Sequence, residues 1–320
     1  MAVVQSLDIL LGWAPERTDR DQLLRERNAE TAALLGRWSL GCLTAAAALG
    51  LGGIALVWHH VVPGAMCGTG VLQAMGSSGT RALIFWAAAL IIMVAWQVLD
   101  DMNRHHPQVP LTQPATRLLI TAAPFLTLAV FYSWQALMRS ESVPPVSCCA
   151  AVYDQVLTSA SKTATNQWIV PLFHWGSLAG SAALIVMAGL RIRFPDRGPG
   201  ITIAATAMVW SAVTAAAVTR IWSTYYYQVL SHPCPWCLFL PDYYGAGFFI
   251  FGLMALILTH SIALWLADRT RSLHPQLADP AARRIRRSAW RVIAAVIGFT
   301  LLTAGPAILW RLRTGAWLQG

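Results

Sequence analysis

Charged side chains occupy only 12% of the 320 positions, too few to clothe a soluble domain of this length. Other absences narrow the chemistry. No second C-x-x-C accompanies Cys234-Pro235-Trp236-Cys237, which counts against a metal or haem centre built on paired motifs. Leu238 follows Cys237 where covalent haem attachment needs histidine. Residues 1–36 hold neither the short apolar core nor the small-residue cleavage site of a secretory signal. They read as a cytoplasmic extension, amphipathic or loose, carrying Arg17, Arg20, Arg25 and Arg27.

Apolar sequence fills the rest. Hydrophobic residues make up 56% of the chain, and the mean hydropathy is +0.53. Runs of about 18–25 apolar residues predict membrane-spanning helices. Seven are expected, near 39–58, 82–99, 117–138, 168–190, 200–222, 243–267 and 290–310, the last interrupted by Pro306. The expected fold class is an all-α polytopic membrane protein.

The formal net charge of +9 is unevenly placed. Arg191, Arg193 and Arg197 fall between spans four and five. Arg269, Arg271, Arg283, Arg284, Arg286 and Arg287 fall between spans six and seven. Arginines crowded into short loops mark the cytoplasmic side, so they read as topology determinants and not as a nucleic-acid surface. The N-terminus is then cytoplasmic and the C-terminus external, with Arg311 and Arg313 running against the rule at the last span.

This orientation sorts the six cysteines. Cys67 falls in the first external loop, Cys148 and Cys149 in the second, and Cys234 and Cys237 at the end of the third. Cys42 lies within span one, where a small apolar packing role is expected. Thiols gathered on an oxidising face favour disulfide chemistry. The C-x-x-C spacing puts both sulfurs on one helical face within bonding reach, and helix N-terminal amides lower a thiol pKa.

The second external loop, Val146-Ser147-Cys148-Cys149-Ala150 through Val156-Leu157-Thr158-Ser159, leads into a span opening Trp168-Ile169-Val170-Pro171. Pro171 suits a first helical turn, and Gly176 and Gly180 allow a neighbouring helix to approach closely. With Pro233-Cys234-Pro235-Trp236-Cys237-Leu238 two passes later, the chain resembles the vitamin K epoxide reductase-like family of bacterial membrane thiol oxidoreductases. The resemblance covers residues 117–267 and implies a four-helix core of spans three to six. Residues 1–36, 37–116 and 268–320 would be additions: an extension, two spans with a cysteine-bearing loop, and a basic loop with a final span.

The resemblance further implies a bacterial inner membrane, a thioredoxin-like external thiol partner, and a quinone (ubiquinone or menaquinone) as electron acceptor. Cys234 would be the sulfur attacked from a loop, and Cys237 the one that meets the quinone. His174 and Trp236 are candidates for the quinone side, and His232 for stabilising a Cys234 thiolate. Two departures stand out. Cys148 and Cys149 are adjacent where the family separates its loop cysteines, and Pro241-Asp242 interrupt the helix that should follow the pair.

Several alternatives stay open. Adjacent Cα atoms are about 3.8 Å apart, closer than the roughly 4.4 Å minimum of ordinary disulfides, so a Cys148–Cys149 bond would be strained and easily reduced. One of the two could instead pair with Cys67 and leave the other to exchange with Cys234; Cys149 is the preferred exchanger. Cys67-Gly68-Thr69-Gly70-Val71-Leu72-Gln73-Ala74 precedes span two much as the second loop precedes span four, a possible internal echo. His59 and His60 read as interfacial polar residues, and His174 as a core hydrogen-bonding residue, a quinone ligand or a metal ligand. Arg220 is expected to snorkel. Trp222, Tyr225, Tyr226, Tyr227 and Trp236 look like an aromatic belt. The rival functions are soft-metal (copper or mercury) transport or metal-centre assembly, and a structural subunit with stapled loops.

The topology is directly testable. A membrane-impermeant thiol reagent applied to intact, reduced cells is expected to label the five loop cysteines and spare Cys42. Labelling of Cys148 only after permeabilisation would invert the orientation.

Overall fold

The computed structural model describes residues 2–14, 16–17, 19–140, 146, 169–195, 200–228 and 234–318. Cys148, Cys149 and His232 lie outside this set. Seven helices are long and apolar enough to cross a membrane: Arg20–His60, Gly68–Asn103, Thr112–Ser140, Pro171–Arg193, Gly200–Tyr227, Ala246–Leu273 and Pro275–Thr314. They coincide one for one with the expected spans, and among the described residues there is no strand. The all-α polytopic class holds. Span seven runs helical through Pro306, and span three through Pro124.

Why these helices suit lipid is visible in their surfaces. Large apolar side chains such as Trp134, Val130, Trp175, Val209 and Leu301 point outward, while alanines such as Ala89, Ala129, Ala207 and Ala263 are buried. Without water to squeeze out, close packing of small residues is what holds membrane helices together. Hydroxyls inside the spans donate to carbonyls of their own helix, as Thr127 does to Ala123 and Ser211 to Ala207, which spares those groups from facing hydrocarbon unpaired.

The described chain forms two compact units. The first comprises Met1–Leu51, Met75–Glu141 and Ile262–Ile285; the second comprises Gly52–Ala74, Ser142–Ser261 and Arg286–Gly320. Span three therefore belongs to the first unit and spans four and five to the second, so the expected four-helix core is shared between the units.

The first unit begins with the helix Ala2–Gly12, whose terminal carbonyl at Gly12 accepts a hydrogen bond from Arg25 Nη1 at 2.9 Å. The N-terminal extension is thus helical and anchored. An ionic cluster ties three spans. Arg37 Nε and Nη2 both donate to Asp100 Oδ2, at 3.0 and 2.9 Å, and Arg104 Nη2 reaches the same oxygen at 3.3 Å. Beside it, Arg284 Nη1 donates to Asp101 Oδ2 at 2.9 Å. Arg284 therefore does more than mark topology. One turn on, Asn103 accepts from the Leu111 N–H and donates to Thr112 Oγ1, closing the turn into span three.

The second unit shows the glycine contact expected of span four. A methyl group at Gly180 would sit 2.6 Å from Trp210 Cδ1, and one at Gly176 3.0 Å from Val213. The Trp210 indole N–H donates to the Ser177 carbonyl and to Ser181 Oγ, each at 3.0 Å. Helix geometry breaks at three points near the cysteine loops. Span one ends in a π turn at Gly53–Val57 and a 3-10 turn at Trp58–His60. Span two kinks at Gly76, whose φ of 61° only glycine adopts freely. Span five widens into a π turn at Val218–Trp222 before Ser223–Tyr227, then stops at left-handed Gln228.

The ionic cluster sets a stability prediction. Asp100 is buried and Asp101 is 37% exposed at its side chain. Asp100→Ala leaves Arg37, 34% exposed at its side chain, without its partner and should destabilise the detergent-purified protein by about 1–3 kcal/mol. Asp101→Ala should cost about 1 kcal/mol or less. Thermal unfolding of both variants checks the order; equal losses would mean the cluster is not the constraint described.

Candidate functional site

Two turns of the second unit build the site. The loop between spans one and two closes at Cys67, whose carbonyl accepts the N–H groups of Gly70 and Val71 and so starts span two. The segment between spans five and six reaches Cys234 in an extended conformation (φ −104°, ψ 111°), and Pro235 then opens the 3-10 turn Pro235–Phe239. Proline fits there because its fixed φ suits a first helical position and its missing N–H is not needed. Residues three apart eclipse in a 3-10 turn, which aligns Cys237 with Cys234. Pro241 opens a second 3-10 turn, Pro241–Tyr243, and Tyr244 and Gly245, both at φ 59°, redirect the chain into Ala246–Leu273. The interruption expected from Pro241-Asp242 is there.

The turns meet because Gly68 has no side chain. A methyl group on it would lie 2.4 Å from Trp236 Cε3. With the indole resting on that bare backbone, Cys67 Sγ comes to 3.6 Å from Cys234 Sγ. Cys237 Sγ joins them, all three sulfurs lying within 4.8 Å of one another. Thr69 Oγ1 is 3.1 Å from Cys234 Sγ. The Tyr227 hydroxyl donates to the Cys234 carbonyl, and its ring meets Tyr243 edge-on at 4.7 Å. Phe239 backs the turn, stacked on Phe251 at 5.5 Å and edge-on to Phe248 at 4.9 Å.

The cluster is electrostatically uneven. Hydrogen bonding from Cys237, then from Cys67, holds the Cys234 thiol well below the usual thiol range, outweighing its burial; Thr69 adds to the effect. Cys237 is pushed upward, first by its hydrogen bond to Cys234 and then by that to Cys67. The surroundings thus favour a thiolate on Cys234 over one on Cys237.

A pairing of Cys67 with Cys148 or Cys149, one of the two arrangements open in the sequence, falls on residues outside the described set; among the described residues Cys67 lies beside Cys234. The signal existed in the echo Cys67-Gly68-Thr69-Gly70, but nothing in the sequence directed it to Cys234 over the second loop. Cys67, Cys234 and Cys237 are all buried, at 2%, 3% and 8% exposure, so an impermeant reagent meets them poorly and the labelling test rests on Cys148 and Cys149. Cys42 is exposed on its helix and does not fill the packing role expected of it. Tyr227 is buried and occupied with Cys234, not a member of an interfacial belt, and the Tyr226 hydroxyl donates to the Leu302 carbonyl. Trp236 is half-buried on Gly68 and 5.4 Å from the Phe239 ring. His174 packs between Trp175 and Trp222, with ring centroids at 5.2 and 4.9 Å. Arg220 is exposed and lies over the Phe173 ring at 5.8 Å. Val146, two residues before Cys148, donates its N–H to the Pro63 carbonyl at 2.9 Å, tying the start of the second loop to the loop that bears Cys67.

No protein-family model, no curated protein and no solved structure matches this chain. Its chemistry is read from its own geometry.

That geometry hinges on Gly68. Gly68→Ala should displace Trp236 and reduce the yield of a Cys67–Cys234 bond formed with diamide by about tenfold or more, an overpacking cost of roughly 1–3 kcal/mol. Trp236→Ala in the same chain should restore it. If Gly68→Ala cross-links as well as the parent, the close approach does not govern the cluster.

Proposed function

We propose that this protein is a membrane thiol–disulfide oxidoreductase that moves electrons between extracytoplasmic thiols and a membrane quinone. The observation that carries the reading is the 3.6 Å separation of Cys67 and Cys234 sulfurs, with Cys237 beside them in a C-x-x-C turn. It sits in the inner membrane of a bacterium with its N-terminus cytoplasmic, and its external partner is a thioredoxin-like thiol protein.

The exchange starts from a Cys234–Cys237 disulfide. The Cys67 thiolate attacks Cys234, forming a Cys67–Cys234 bond and releasing Cys237, which takes up a proton. A second thiolate, from Cys148, Cys149 or the partner, then attacks Cys67 and expels Cys234. The hydrogen bonds that stabilise the Cys234 thiolate make it the better leaving group at this step. A third thiolate, the second of the external dithiol, then attacks the sulfur bound to Cys67, closes the external disulfide and frees Cys67 as a thiolate. The net change is one dithiol oxidised outside and one dithiol, Cys234 and Cys237, reduced within. The tie between Val146 and Pro63 supports delivery from the second loop.

Cys234 and Cys237 would re-form their disulfide by giving up two electrons and two protons, and a bound quinone would supply the acceptor for them. The residues fit one. Trp222 presents a buried indole N–H with no acceptor among the described residues, beside the His174 ring, and a quinone carbonyl would satisfy it. Relative potentials of the quinone and the partner set the direction of flow.

Cys237→Ser removes the resolving sulfur and should trap Cys67–Cys234 as a stable disulfide, recovered by non-reducing peptide mapping. Added quinone should oxidise the reduced parent protein and leave Cys237→Ser without turnover. Recovery of no Cys67–Cys234 species would sink this assignment.

A further inference from the structure

We propose that the reduced cluster of Cys67, Cys234 and Cys237 is also a binding site for a soft monovalent metal ion, Cu(I), held by three sulfurs. The inference goes beyond thiol exchange and does not depend on it, since it concerns the state in which no disulfide is present.

The geometry points there directly. Three sulfurs bonded at about 2.3 Å to one ion in a trigonal plane stand about 4.0 Å apart. Here one pair is 3.6 Å apart and all three lie within 4.8 Å, so an ion enters with sulfur movements of a few tenths of an ångström. Thiolate sulfur selects soft ions, and Cu(I) is the ordinary case. Zinc completes a tetrahedron, and among the described residues no fourth histidine, cysteine or carboxylate belongs to the group. All three cysteines are buried, which keeps water and dioxygen from a bound Cu(I).

The surroundings suit the charge that results. Each copper–sulfur bond replaces a sulfur–hydrogen bond and releases its proton to solvent, so the loaded site is anionic. Cys67 stands at the start of Gly68–Asn103, where the helix presents the positive end of its dipole, and Thr69 Oγ1 lies within hydrogen-bond distance of Cys234 Sγ. The backbone at Gly68 and the ring of Trp236 hold the two turns together before any ion arrives.

The test is anaerobic titration of Cu(I) into the reduced, detergent-purified full chain against bathocuproine disulfonate, read by the chelator's absorbance. One equivalent should be withheld from the chelator, and X-ray absorption of that copper should show three sulfur neighbours. Cys67→Ser, Cys234→Ser and Cys237→Ser should each weaken retention at least tenfold, while Cys42→Ser and the Cys148→Ser, Cys149→Ser double variant should leave it unchanged. Full retention by Cys67→Ser, or two-sulfur coordination in the parent protein, would reduce the site to the C-x-x-C pair and overturn the proposal. So would loss of copper in the Cys148, Cys149 double variant alone, or no copper withheld by the parent. The parent's absorption spectrum decides the matter even if a variant fails to fold. Copper retention with no quinone-driven oxidation would uphold this site and remove the exchange reading; the reverse result would do the opposite.

Discussion

A backbone that crosses hydrocarbon must satisfy each N–H and C=O within its own helix, so irregular chain is confined to where spans end. The cysteine site lies at such ends. Span one loosens through a π turn and a 3-10 turn before Cys67, and span five through a π turn and left-handed Gln228 before Cys234. Unwinding frees backbone groups, and the fold reuses them locally. The Cys67 carbonyl starts span two, and the Cys234 carbonyl accepts from Tyr227. The same departures from regular helix that would be costly in mid-membrane are what let two short turns meet at van der Waals distance.

Closeness alone does not make three sulfurs equivalent. Cys234 is the common neighbour, flanked by Cys67, Cys237 and Thr69, and so it gathers the hydrogen bonds that favour a thiolate. Cys237 spends its own proton on that thiolate, which is why its pKa moves in the opposite direction. An uneven pair is useful in exchange. The sulfur that leaves must carry charge well, and the sulfur that later re-closes the ring must be kept from attacking too early. The asymmetry follows from position in the turn, since both residues have the same chemistry.

The spans were legible because lipid imposes length and apolarity on every one of them, and these are properties of contiguous sequence. Even Pro306, a breaker in water-soluble helices, could not disguise span seven. The glycines of span four were legible for a related reason: Gly176 and Gly180 imply a close neighbour, and Val213 and Trp210 supply it. The partner of Cys67 was not legible. Cys67 and Cys234 are 167 positions apart, and what joins them is an indole on a bare glycine backbone, a contact no periodicity announces. Arg284 shows the same limit from the other side. Its place in a basic loop was visible, but its bond to Asp101 was not. Tyr227 likewise read as one of three interfacial tyrosines, and only the turn after it gave its hydroxyl a fixed partner.

A third sulfur changes what a C-x-x-C can do. Two cysteines alternate between a dithiol and a disulfide. Three allow a mixed bond to form inside the protein, and three reduced thiols make a complete coordination set for one soft ion. These uses exclude one another at any instant, because a sulfur in a disulfide donates nothing to a metal and a sulfur on a metal attacks nothing. Whatever binds only the reduced cluster therefore stabilises it against oxidation, by an amount that grows with the ion's free concentration relative to its dissociation constant. By that linkage, a Cu(I) ion bound as proposed would raise the reduction potential of Cys234–Cys237, and oxidation of the pair would lower affinity for Cu(I) by the same factor. On the two proposals for this cluster, exchange and metal capture would be coupled through the three sulfurs themselves, with no conformational signal needed between separate sites.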